Sequence, residues 1–312
     1  MEKASRVRVM ASALTVSMLA WSPALADVGT TLSVPHAALA GSAVQEVASA
    51  ALAEGVREME ADGGAVVILD VETGQIMALA SVGREGGPSE VPWHRAINNV
   101  QEVGNVMSIF AIAHALNAGL ISEDTQIDTP PTLTVVGFTF QDYQPVAETM
   151  TAAEILLEGS YIGRAQIGRI LGSERQQAFL DSLGLLEPHP LEVQHPTSIA
   201  AVRPSEWGRL SAMTVAAGHG LSASPRQIAA AYASLVNGGM RVHASFQPAT
   251  GIGARVMSDA PSTAVREMLR DSVLTGTANL ANVPGYSVGG ASGSSDLRLA
   301  NGEFDQARFV AT

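Results

Sequence analysis

The sequence predicts a mixed α/β (α+β) domain in which helices flank a central antiparallel sheet. Three observations predict it. Two apolar runs of strand length, Gly64 to Asp70 and Gln75 to Ser81, are joined by the turn signal Glu72-Thr73-Gly74 and read as a hairpin. The middle of the chain is filled by segments with recognisable helix starts and stops. Two further strand-like stretches, Tyr286 to Ser292 and Arg308 to Thr312, follow near the C-terminus. A hairpin, a helical block and C-terminal strands together imply helices packed on one sheet.

The elements are read in order. Lys3, Arg6 and Arg8 precede an apolar stretch, Val9 to Trp21, and Ala24-Leu25-Ala26 offers a small-x-small cleavage site before Asp27. Residues 1–26 therefore read as a signal peptide, whose apolar stretch is shorter than the roughly 20 residues a membrane span needs. An uncleaved anchor is the alternative. Residues 27–41 form a linker and residues 42–312 the domain. Ser42 can cap a helix to about Glu60, with Val44, Val47, Ala51 and Met59 near one face. Arg84 to Trp93 is rich in Gly and Pro and reads as loop. Asn105 to Ala118 is an apolar helix ended by Gly119. Thr151-Ala-Ala-Glu154 is a capping box. Ser173 caps a helix running to Leu183, closed by Gly184. Ser224-Pro225 starts a helix stopped by Gly238-Gly239, and another helix spans about Thr263 to Leu274.

Composition excludes several kinds of chemistry. The only lysine is Lys3; the other 17 basic residues are arginine, and cysteine is absent. If residues 1–26 are removed, no lysine Schiff base, P-loop lysine, serine–lysine dyad or cysteine nucleophile is possible. Removing Lys3, Arg6, Arg8 and Glu2 takes the formal charge from −12 to −14, which argues against nucleic acid or anionic lipid as a partner. With no disulfides available, a packed core must carry the stability, and 46% hydrophobic residues can supply it. The seven histidines form no metal pattern. His189 and His195 share a Pro-rich loop, and His219 lies between two glycines in a place that suits a structural role. Gly251 and Gly253 lack the third glycine of a dinucleotide fingerprint, and Asp124 and Asp128 have no obvious partner. No metal and no cofactor is expected.

Several segments, in order, resemble the transpeptidase domain of class B penicillin-binding proteins of the FtsI-like, division-specific kind. GAVVILDVETGQIMALAS resembles that domain's first two strands. Arg95 to Leu120 resembles the segment that carries its nucleophile. GHGLSASPRQIAAAYASLVNGGMRV, from Gly218, resembles its later helix, and PGYSVGGASGS, from Pro284, its Lys-Thr-Gly strand. The resemblance implies the fold shared by penicillin-binding proteins and β-lactamases. It also implies three catalytic elements. In Ser-x-x-Lys, one helical turn brings a neutral lysine beside the serine it deprotonates. Ser-x-Asn relays protons and holds the substrate amide. Lys-Thr-Gly binds the substrate carboxylate and lines the oxyanion site.

Each element is replaced here. The nucleophile position holds Asn105 and the lysine position Ser108. The second motif falls on Gly159-Ser160-Tyr161. The third falls on Ala291-Ser292-Gly293, where the cation is gone but a small hydroxyl residue and a glycine remain, so Ser292, Gly293 and Ser294 are the candidates for residual ligand binding. The resemblance therefore implies a catalytically inactive homologue, exported to the periplasm or anchored by an uncleaved leader. Its expected partners are cell-wall synthesis or division proteins, or the peptidoglycan stem peptide. The alternatives are an active acyl-serine transpeptidase or carboxypeptidase with a relocated nucleophile at Ser108 or Ser160, and a gene remnant without function. By the same resemblance the family's last strand or strands and terminal helix are missing, which leaves a gap in mid-sheet between the hairpin and the C-terminal strands.

Overall fold

The structure, a computed structural model, describes residues 17–18, 39, 42–83, 96–97, 100–102, 104–144, 146–186, 203–247, 252–276, 278–298 and 304–311. Most of the expected leader and linker lies outside these residues, as do the Gly/Pro loop after residue 83 and the loop holding His189 and His195.

One five-stranded antiparallel sheet organises the domain, with flanking helices as predicted. After β1 (Ser17–Met18) and α1 (Ala43–Glu58) comes the hairpin of β2 (Gly63–Leu69) and β3 (Ile76–Gly83). Its turn is fixed by Asp70, whose Oδ1 accepts the N–H groups of Glu72 at 3.0 Å and Thr73 at 2.8 Å, while Gly74 supplies a positive φ of 73°. The continuous apolar run in β2 reflects burial on both faces. Val66 meets Ala48, Leu52 and Val56 of α1; Ala65, Val67 and Leu69 face Ala229 and Ala230 on the opposite side. The stripe of α1 therefore differs from the predicted one. Val44, Val47 and Met59 are exposed, and the i, i+4 row Ala48-Leu52-Val56 packs on the sheet.

The helical block follows β4 (Gln101–Glu102). A 3₁₀ turn, Gly104–Met107, leads into α2 (Ser108–Asn117), so the predicted helix starts as a tighter coil. Four short strands come next: β5 (Ile127–Asp128), β6 (Leu133–Val135), β7 (Phe138–Phe140) and β8 (Thr149–Met150). Then come α3 (Ala152–Glu158), α4 (Tyr161–Leu171), α5 (Ser173–Ser182) and α6 (Arg209–Ala216). The Thr151–Glu154 capping box forms. Ser173 is the first residue of α5 rather than its cap; Gly172, at φ 76°, holds the cap position. The chain continues through β9 (Ser222–Ala223), α7 (Pro225–Val236), β10 (Met240–Val242), β11 (Ile252–Arg255) and α8 (Asp259–Thr275). Their main core joins α2 to α3, α4, α5, α7 and α8, with Phe110 edge-on to Tyr232 at 5.2 Å.

The α7 start is a complete capping box. The Ser224 hydroxyl accepts the Gln227 N–H at 3.3 Å, and Gln227 Oε1 accepts the Ser224 N–H at 3.0 Å. Ser224→Ala is expected to lower stability by about 1 kcal/mol, measured by urea denaturation.

His114 on α2 makes a pH prediction. Its ring stacks on Phe179 at 4.4 Å, and both ring nitrogens are buried. Burial, and secondarily the Arg175 charge, hold its pKa below the usual 6.5. As pH falls through about 6.5 the unfolded chain takes up a proton that the folded chain refuses, so stability declines, by at most about 1.4 kcal/mol per pH unit for this one group. His114→Phe should flatten that part of the stability–pH curve, as read by urea midpoints at several pH values.

The C-terminal strands are β12 (Ser294–Arg298) and β13 (Phe304–Ala311). The strand expected over Tyr286–Ser292 does not form. The Arg270 guanidinium donates to Val288 O at 2.7 Å and the Gly290 N–H to Leu269 O at 2.9 Å, tying this segment to α8 rather than to the sheet. The sheet order is β12-β13-β1-β2-β3. The central position, expected to be a gap, is held by β1, two residues of the stretch read from sequence as a signal peptide outside the domain; it pairs Ser17 with Ala65, and Met18 with Gly64 on one side and Ala311 on the other. It meets only a small part of neighbours seven and eight residues long.

Candidate functional site

The candidate site is assembled where three main-chain segments touch without side chains between them. A Cβ placed on Gly104, at φ 57°, would lie 2.0 Å from Ser294 O. One placed on Gly218, at φ 101°, would lie 2.2 Å from Gly104 O. Only glycine permits such an approach. β4 pairs with β9 beside it, Glu102 opposite Ser222, and the Ser295 hydroxyl donates to Glu102 O. The segments bearing Asn105, His219 and Ser294 are thereby held edge to edge.

Asn105 lies in the 3₁₀ turn at the start of α2, where the resemblance places the nucleophile. Ser108 is 1% exposed and its hydroxyl donates to Asn105 O at 2.7 Å. Ser160 is 2% exposed and is the N-cap of α4: its hydroxyl accepts the Gly163 N–H and donates to Asp142 Oδ2, both at 3.0 Å. The two serines considered as relocated nucleophiles are thus both buried and already bonded. Gly159 comes close to Asn105: a Cβ on it would lie 3.4 Å from Asn105 Nδ2. Tyr161 is half-buried, and burial raises its pKa above the usual value. Ala291 packs against the main core, while Ser292 and Gly293 are half-buried and Ser294 is exposed.

Three residues that hold the site together carry no local sequence signal. Arg164, on α4 and only 4% exposed, fills the space between the first two motif positions. Its Nη1 donates to Asn105 Oδ1 and, at 3.0 Å, to Ala217 O. Nη2 donates to Gly159 O at 3.1 Å, and Nε to Ser160 O at 2.9 Å. Burial lowers its pKa to about 10, partly offset by the Asp142 charge, so it stays protonated at neutral pH. Asp142 is the second. Its carboxylate accepts the N–H groups of Tyr161 and Ile162 at the start of α4, where a helix N-terminus favours negative charge. Glu102 is the third, set three residues before Asn105 and paired with His219.

Asn105, Gly159, Ser160 and Tyr161 thus converge on one guanidinium, and Ser294 adjoins them through Gly104. A family model for the penicillin binding protein transpeptidase domain matches residues 64–306. The chain belongs to this family. The probable peptidoglycan D,D-transpeptidase FtsI of Caulobacter vibrioides is 27% identical over 287 residues, covering 86% of this chain and 48% of that protein. The probable peptidoglycan D,D-transpeptidase PenA of Neisseria gonorrhoeae is 27% identical over 278 residues, covering 86% and 47%. The chain spans about half the length of these curated relatives. Among solved structures, the apo TP domain of Burkholderia pseudomallei penicillin-binding protein 3 matches with a TM-score of 0.75 and 28% identity, covering 86% of this chain and 80% of that one. Among the described residues no helix of this penicillin-binding-protein domain is long and apolar enough to cross a membrane.

Proposed function

We propose that this chain is a non-acylating transpeptidase homologue, a pseudoenzyme with respect to acyl-serine chemistry. It acts outside the cytoplasmic membrane as a binding or scaffolding element of peptidoglycan synthesis or division, its cleft retaining at most weak affinity for a stem peptide or a penicillin. The observation that carries the reading is Asn105 at the nucleophile position, held by a buried arginine, in a chain with no lysine after residue 3. A carboxamide does not attack an acyl group, and a guanidinium does not accept a proton near neutral pH. Removing the nucleophile of a serine acyl-enzyme lowers turnover about a million-fold, or about 8 kcal/mol of barrier. The occupied hydroxyls of Ser108 and Ser160 count against a displaced nucleophile.

Incubation with a fluorescent penicillin should leave the folded protein unlabelled under conditions that label an active family member. Intact-mass detection of a penicilloyl adduct on any serine would overturn the reading.

A further inference from the structure

Glu102 and His219 form a carboxylate–imidazole pair beside Tyr161 and the motif positions. Glu102 is 3% exposed; its Oε1 accepts the Gly220 N–H at 3.0 Å, and its Oε2 lies 3.3 Å from His219 Nδ1. The imidazole side chain remains 40% exposed and stands edge-on to Tyr161, with ring centroids 5.5 Å apart. Tyr161 in turn lies 5.6 Å from the Arg164 guanidinium that holds Asn105. An ionised glutamate only accepts hydrogen bonds, so the pairing assigns the imidazole proton to Nδ1 and leaves the lone pair on Nε2. A buried carboxylate that fixes the tautomer of a partly exposed imidazole is the arrangement that makes histidine an oriented general base. Among the described residues around the pair, Ser108 and Ser160 are buried and bonded, the Asp142 carboxylate is taken up by the Ser160 hydroxyl and the N–H groups of Tyr161 and Ile162, Arg164 is protonated, and burial makes the Tyr161 phenol harder to ionise.

We propose that this pair hydrolyses an activated acyl-peptide ester in the cleft without a covalent intermediate, His219 deprotonating water in place of the family's serine. This rests on the reading that the cleft still admits an acyl peptide. In the first step a water proton passes to His219 Nε2 and the water oxygen bonds to the acyl carbon. The tetrahedral adduct then collapses, breaking the bond to the alkoxide or thiolate leaving group, which takes the proton from Nε2. One water is consumed and one carboxylic acid and one alcohol or thiol are released, with no change of oxidation state.

The probe is an acyl-D-alanyl thioester offered to the full chain, with released thiol read by a chromogenic disulfide. The protein contains no cysteine, so it adds no background. Turnover above the buffer rate is expected, lowered about 100-fold or more in His219→Ala and partly restored there by free imidazole, which a merely structural histidine would not allow. Glu102→Gln can keep the Gly220 contact but would donate to Nδ1, reversing the tautomer, so the same loss is expected with an unchanged melting temperature. Binding of the matching non-hydrolysable amide is followed in parallel by ligand-observed NMR. Binding without turnover, turnover undiminished in His219→Ala, or an acyl adduct on the protein would each overturn the dyad. No binding at all would overturn the cleft reading and the dyad with it.

Discussion

Replacing Arg164 with methionine is expected to lower the unfolding free energy by about 2–4 kcal/mol. The guanidinium serves four acceptors: Asn105 Oδ1 and the carbonyls of Gly159, Ser160 and Ala217. Among the described residues, Ser160 O keeps another partner, the Arg164 N–H at 3.2 Å. Each buried acceptor left bare costs about 1–3 kcal/mol. Against this, the variant no longer buries a cation, which itself costs several kcal/mol after relaxation. The bare acceptors outweigh that relief because three segments lose their shared tie together. Arg164→Lys should recover little, since an ammonium on a single stem cannot span acceptors laid out for a planar fork. Urea denaturation followed by circular dichroism measures both variants. A loss below 1 kcal/mol for methionine would show that the arginine is a passenger rather than a tie.

Gly218→Ala should be at least as damaging, by about 3 kcal/mol or more. At φ 101° an alanine is already strained by about 1–2 kcal/mol, and its Cβ would meet Gly104 O at 2.2 Å. Gly104 cannot retreat, because it rests on the Ser294 carbonyl in the same way. The three segments of the cleft would have to separate. Gly119→Ala is the control. That glycine also has positive φ, 64°, but an added Cβ meets nothing within 4 Å, so only the conformational strain of about 1 kcal/mol applies. Thermal and urea unfolding of the two variants should therefore differ clearly, and equal losses would show that close packing at Gly218 contributes nothing.

What could be read from the sequence was what local signals encode. The hairpin turn announces itself because Asp70, Thr73 and Gly74 act on one another within a few residues. The capping boxes at Thr151 and Ser224 do so for the same reason. The Tyr286–Ser292 segment has the composition of a strand, but whether it pairs with a sheet or lies on α8 depends on Leu269 and Arg270, which no local pattern names. The α1 stripe departs from the predicted one because Ala48 is a weak hydrophobic signal, although a small residue is what lets a helix approach a sheet. The motif positions could be located by resemblance, yet what occupies the space they vacate could not. Arg164 reaches Asn105 across 59 residues and His219 reaches Glu102 across 117, and neither pairing leaves a mark in either stretch of sequence alone.

The glycine contacts among Gly104, Gly218 and Ser294 also bear on how such a domain changes over generations. The backbone outline of the site is set by main chain resting on main chain at Gly104, Gly218 and Ser294, while the side chains at 105 and 108 add hydrogen bonds to that frame. Chemistry can be lost or recruited around that backbone without moving it, but each change at Asn105 or Ser108 also gives up a buried hydrogen bond. In descendants of this chain the two glycines should then be the least variable positions of the site, since a change there moves backbone whereas a change at 105 or 108 costs only the bonds of one side chain.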